Sequence, residues 1–156
     1  MTNSSVQFVV HGVPAPQAGT RQVDTAKGKR QISTGGVGLQ AWRNDCAAEA
    51  EKASRAQGER GPSCFDEPVI VQAYFRFPMP KSRPKWMRDE GTWAKQTTPD
   101  LDKLCRALGD SLKTGGLIRD DSLIVEWRAR KDEVWNQWTG VVVLIKPAIT
   151  DEEEEI

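Results

Sequence analysis

The stretch TPDLDKLCRALGDSLKTGGLIRDDS, residues 98–122, constrains this chain more than any other. Pro99 disfavours a helical backbone at Thr98, and Asp100 is suited to cap a helix, its carboxylate accepting from free N–H groups of the first turn. Leu101, Leu104, Cys105, Leu108 and Leu112 recur at three- and four-residue spacing, while Asp102, Arg106 and Asp110 fall at i, i+4 and i+8 on the other side. The spacing predicts a helix with one core face and one charged face. Thr114, Gly115 and Gly116 turn the chain back, and after Asp120 and Asp121 the residues Leu123, Ile124, Val125 and Trp127 read as a strand. The pairs Asp100/Asp102 and Asp120/Asp121 are therefore predicted to meet in space.

Carboxylates gathered without partners repel and raise one another's pKa, so a cluster of three or four favours a hard divalent cation such as Mg²⁺ or Mn²⁺. A plainer reading has the same spacing: Asp100 only caps, Asp102 and Arg106 form an exposed i, i+4 pair, and Asp120 and Asp121 are turn residues. Spacing alone leaves both open.

The runs PDLDKLCRALGDSL and GGLIRDDS resemble the RusA-type Holliday junction resolvases of bacteria, prophages and phages. The likeness is direct across residues 98–122 and looser, in the order of elements, over most of the chain. It implies a homodimeric, Mg²⁺-dependent endonuclease that cuts four-way DNA junctions by paired nicks in recombination and repair. By position, Asp100, Asp102 and Asp121 match the family's catalytic, metal-binding acids, and Asp120 is the usual acidic neighbour. Asp110 matches a recurrent helix acid with a supporting role. Two positions depart from the pattern: Lys103 stands where the family usually has Asn, and Arg106 where it usually has Lys. Arginine does not give up its proton under ordinary conditions, so the resemblance leaves Arg106 the roles of phosphate contact and transition-state charge stabilisation.

At 156 residues the chain is long enough for one domain with a real core, expected over residues 1–150. The formal charge is zero, but the acids at 151–155 form a terminal tail, expected to be disordered, that masks a basic body. A basic body suits a polyanionic partner. Cys46, Cys64 and Cys105 form no C-x-x-C pair and His11 is the sole histidine, which leaves zinc sites and Ser-His-Asp triads nothing to build on. An odd cysteine count with no signal peptide or long apolar run reads as a cytoplasmic protein with no membrane association.

Along the chain, residues 5–10 read as a strand and 15–38 as a loop, with a possible short hairpin about Lys27 and Gly28. This loop carries Arg21, Lys27, Lys29 and Arg30. Residues 39–57 read as a helix whose alanines permit close packing, either within the fold or across a dimer. Residues 67–77 read as a second strand, and 122–130 and 137–146 as an antiparallel hairpin turning near 132–136. The fold class is α/β, a small mixed sheet of about four to five strands with two main helices. Between 78 and 97 the chain reads as irregular, with Lys81, Arg83, Lys85, Arg88 and Lys95 interleaved with Trp86 and Trp93. Basic groups release counterions from phosphates and exposed tryptophans stack on unpaired bases. The alternative is that both tryptophans pack down as anchors. Lys103, Arg128 and Lys131 complete the candidate DNA contacts.

Two rival functions use the same features. A non-catalytic branched-DNA-binding protein would keep the basic loop, and a nuclease could prefer flaps or forks. A D-x-D nucleotide-sugar transferase is disfavoured by the short chain and by the lack of a glycine-rich phosphate loop.

Overall fold

Alternation in residues 69–78 sends Val69, Val71, Ala73 and Phe75 to one side and Ile70, Gln72, Tyr74 and Arg76 to the other, and the first set is buried. That two-residue period builds the central strand of a mixed sheet. The computed structural model describes residues 5–17, 20–33, 38–57 and 64–148. Its strands are β1 (Val6–His11), β2 (Thr20–Thr25), β3 (Gly28–Ser33), β4 (Val69–Pro78), β5 (Thr92–Ala94), β6 (Ile124–Val134) and β7 (Gly140–Pro147). Its helices are α1 (Leu39–Gln57), α2 (Lys85–Glu90) and α3 (Leu101–Thr114), with a 3₁₀ turn at Asp121–Leu123. The expected α/β class and both main helices are present.

Five strands form one sheet in the order β1-β7-β4-β6-β5, and β2 and β3 form a separate hairpin. Strands β6 and β7 do not pair as the predicted hairpin: β4 lies between them, antiparallel to β7 and parallel to β6. The five residues 135–139 suffice to step over one strand, because next-but-one strands lie only about 10 Å apart. The predicted turn near 132–136 also moves, since Asp132 and Glu133 are buried strand residues. Their charge reads locally as a turn signal, but in the strand both carboxylates are satisfied by hydrogen bonds, those of Glu133 from a cation fifty residues away. Asp132 accepts from Tyr74 and Arg130, and Glu133 accepts from Arg83 through both oxygens, at 2.9 and 2.8 Å.

Helices α1 and α3 share one apolar cluster with the inner face of the sheet, including Trp42, Cys46 and Ala50 from α1 and Leu104, Leu108 and Leu112 from α3. Burying each such leucine contributes roughly 1.5–3 kcal/mol, which holds the charged face of α3 outward. Of the α1 alanines, Ala50 is buried in this cluster and Ala53 packs against it, while Ala41, Ala48 and Ala56 are exposed. A Cβ built on Gly115 would lie 2.4 Å from the Ala47 carbonyl oxygen and 2.9 Å from the Ala50 Cβ, so the turn after α3 rides directly on the α1 backbone. Gly116 then takes φ +75°, a left-handed conformation that glycine adopts without a steric penalty.

The stretch 78–97 is more ordered than its composition predicts. Pro84 precedes α2, its carbonyl accepts from the Met87 and Arg88 amides, and β5 pairs with the end of β6. The expected acidic tail lies outside the described residues. Among the described residues no helix is long and apolar enough to cross a membrane.

Candidate active site

Helix α3 delivers its acids as the sequence predicts in direction, though not in grouping. Asp100 occupies the N-cap position with extended backbone, yet its side chain makes no capping hydrogen bond. The carboxylate lies 3.9 Å from the Lys103 ammonium instead. Asp102 and Arg106 are exposed and make no ion pair among the described residues. Asp110 is half-buried, 3.7 Å from the Arg43 guanidinium on α1.

Two neighbouring clefts divide the predicted residues. One, about 250 Å³, is lined by Gln17, Arg106, Asp110, Asp121 and Trp127 among others. The second, about 470 Å³, is lined by Asp100, Lys103, Lys95, Thr98, Pro99 and the proline-containing segment 13–16. Of the two acidic pairs expected to meet, Asp100 lines one cleft and Asp121 the other, and neither cleft is lined by a member of each pair. Among the described residues no three carboxylate, imidazole or thiol side chains come close enough to hold a metal by themselves. Asp120 has partners of its own. It accepts from the Ser122 hydroxyl at 2.6 Å and lies 3.0 Å from the Lys113 ammonium. Those two contacts, the Ser122 hydrogen bond first, pull its pKa down to about 2. The predicted mutual raising of carboxylate pKa values is thus absent at Asp120, which is stabilised as an anion.

The donors still suit a hard cation in kind. Asp121 and Asp110 offer carboxylate oxygens, and the Gln17 side-chain oxygen is buried against the same cleft with no hydrogen-bond partner among the described residues. Cys105 also lines this cleft, but burial, and secondarily the nearby Asp102, pushes its thiol up to about 11, so it offers no soft thiolate. Mg²⁺ is commonly held by one or two carboxylates together with substrate phosphates rather than by a complete protein cage. The residues present fit that mode.

The predicted DNA contacts separate into two groups. Lys81, Lys85 and Trp86 are exposed, Lys85 pairing with Asp89 within α2. Trp86 is 54% and Trp93 37% exposed, and the two rings meet edge to face at 5.1 Å. These tryptophans are not buried anchors. Arg128 is exposed beside Glu126, and Lys103 beside Asp100. Arg83, Lys95 and Lys131 are committed inward instead. Arg83 clamps Glu133, and the Lys95 ammonium donates to Thr97 Oγ1 and lies 3.6 Å from Glu133. Lys131 donates to the carbonyls of Thr97 and Pro99. Apart from Thr97 beside Lys95, the partners that occupy them lie far off in sequence, which is why all three read there as phosphate contacts.

Two residues of the site escaped the sequence reading. Lys113 continues the Asp102, Arg106, Asp110 series at helical spacing, so its partnership with Asp120 carried a signal. Gln17 carried none, because its position depends on a backbone hydrogen bond from its N–H to the Lys103 carbonyl, which seats the loop after β1 on α3.

No curated protein matches the chain significantly. A family model described as "Endodeoxyribonuclease RusA" matches residues 12–146, which include both clefts, both long helices and the sheet apart from β1 and the last residue of β7. The chain therefore belongs to the endodeoxyribonuclease RusA family.

Proposed function

We propose that this protein is a Mg²⁺-dependent resolvase of four-way DNA junctions, with Mn²⁺ as a substitute, acting as a homodimer that makes paired symmetric nicks during recombination and repair. The observation that carries the reading is the cleft between α3 and the start of β6. There Asp121, Arg106 and the unpartnered Gln17 oxygen face one space inside a chain whose family cuts DNA. One such site cuts one strand, so symmetric nicks require two copies.

Of the expected ligands Asp100, Asp102 and Asp121, Asp121 faces this cleft and would hold the cation with Asp110, the Gln17 oxygen and phosphate oxygens of the DNA, while Asp100 lines the second cleft. When bound, Mg²⁺ supplies Lewis-acid polarisation of the phosphate and a lowered pKa for the attacking water. Arg106, exposed and unpaired among the described residues, offsets the charge that builds on the phosphoryl oxygens in the transition state. Lys113 holds Asp120 as an anion beside them. Lys81, Lys85, Lys103 and Arg128 neutralise backbone phosphates, and the exposed Trp86/Trp93 pair stacks on bases freed at the branch point. Recognition is then of shape and charge.

A second reading has one observation in its favour: no three acidic side chains gather among the described residues, as in a protein that binds branched DNA without cutting it. A strand-resolved assay on a mobile four-way junction, a flap, a fork and a linear duplex, with Mg²⁺ or EDTA, separates the readings. Symmetric, metal-dependent nicks in the junction, lost in Asp102→Asn, support the resolvase. Tight junction binding without cleavage in Mg²⁺ and Mn²⁺ supports the binder, and preferred cutting of flaps or forks redirects the substrate assignment.

A further inference from the structure

We propose that Lys131 is a positioning residue for the acidic site, holding the segment that carries Asp100. This rests on the reading that Asp100 belongs to the nuclease centre. The Lys131 ammonium, projecting from β6, donates to the Thr97 carbonyl at 2.7 Å and to the Pro99 carbonyl at 2.8 Å. Neither carbonyl takes a backbone donor among the described residues. Pro99 is bonded directly to Asp100, whose own carbonyl accepts the first α3 hydrogen bond, from the Leu104 amide at 3.2 Å. One side chain thus fixes the last residues before the helix and so the direction from which Asp100 enters the cleft that it lines with Lys95 and Lys103.

The rest of the frame reinforces this. The Lys95 amide donates to the Lys131 carbonyl at 3.1 Å, and its ammonium reaches Thr97 Oγ1 at 3.0 Å and the buried Glu133 at 3.6 Å. Arg83 closes the other side of Glu133. Residues 95–99 are therefore pinned to β6 at the backbone and through two ammonium groups. Two of the three ammonium N–H donors of Lys131 are taken by these carbonyls, so its position is set by the protein and one donor is left for any other acceptor. Two carbonyl dipoles facing one ammonium hold it by charge-assisted bonds, the stronger class.

The experiment compares wild type, Lys131→Met, which keeps the aliphatic stem without donors, and Lys131→Arg. Amide hydrogen exchange of Leu104 and Lys95 in the free protein needs neither DNA nor activity, so it remains informative if the nuclease reading fails. The salt dependence of junction binding distinguishes a phosphate contact, whose loss lowers the log–log slope by about one. We expect Lys131→Met to speed both amides at least tenfold, leave the slope unchanged and slow single-turnover cleavage at saturating DNA. Lys131→Arg should recover part of the protection. Unchanged exchange in Lys131→Met, or a slope lower by about one, overturns the proposal. Should Lys131→Met not fold, the ammonium ¹⁵N resonance of Lys131 in wild type decides. Couplings to both carbonyls that persist on adding junction DNA sustain the role, and their loss on adding DNA refutes it.

Discussion

Replacing Gly115 by alanine tests how the α3 turn is seated. Gly115 has φ −76° and ψ −5°, an ordinary helical conformation, so the backbone raises no objection to alanine. On backbone entropy alone the change would stabilise by about 0.4–1 kcal/mol. The new methyl, however, would sit 2.4 Å from the Ala47 carbonyl oxygen, 2.9 Å from Ala50 Cβ and 3.1 Å from the Glu51 nitrogen. Restoring a contact of 3.4 Å requires the turn and α1 to part by about 1 Å, and two of the three obstacles are backbone atoms that cannot rotate aside. Overpacking of this kind costs about 1–3 kcal/mol or more, which outweighs the entropic gain. The expected net loss is up to about 2.5 kcal/mol, or up to roughly 10 °C in Tm for a domain of this size. Gly116→Ala is the internal control. It meets no atom within 4 Å, and its cost is conformational only, about 1–2 kcal/mol for φ +75°. Urea melts read both, and because Gly115 leads toward Asp120 and Asp121, junction cleavage should fall in Gly115→Ala when measured well below its melting point. Gly115→Ala at least as stable as wild type would refute the close approach of α1 to this turn.

Three further outcomes follow from the charges and aromatic groups. Arg83 and, less strongly, Lys95 hold the Glu133 carboxyl below its ordinary 4.5. A depressed folded pKa stabilises above the unfolded value and is lost as pH falls through the folded one. The stability deficit of Arg83→Met should therefore be full above pH 4.5 and shrink below it. A deficit unchanged down to pH 3 in thermal melts would contradict this. Asp120, held near 2 by Ser122 and then Lys113, should titrate near that value by carboxyl ¹³C NMR, and Ser122→Ala should move its midpoint up toward 3.8. A midpoint already near 3.8 in wild type would remove the Ser122 contact. Trp86→Ala should cost no more than about 0.5–1.5 kcal/mol of stability, the worth of its edge-to-face contact with Trp93, yet weaken junction binding by about 1–3 kcal/mol if it stacks on a base. Unaltered binding of both junction and single strand would exclude the stacking role.

Periodicity, a local property, sufficed for α1, α3 and the alternating strands β4 and β7. Their buried residues are those whose spacing selects one face, from Trp42, Cys46 and Ala50 to Val141, Val143 and Ile145. The acidic motif of residues 98–122 was equally legible, and it pointed to the family that the match over residues 12–146 shows. What sequence could not contain is who meets whom across long separations. Inserting β4 between β6 and β7 depends on the net energy of a whole sheet, to which the short connection contributes little. Arg83, Lys95 and Lys131 look like phosphate ligands in sequence, because a cation's role is set by the nearest partner in space. Glu133, Thr97 and Pro99 take them, at separations of up to 50 residues. Asp120 and Asp121 are adjacent in the chain, yet Ser122 and Lys113 partner one while the other faces the cleft with Arg106. Residue type and spacing determined which groups this protein has for chemistry, and the packing of α3 against β6 and the loop after β1 decided which of them share one space.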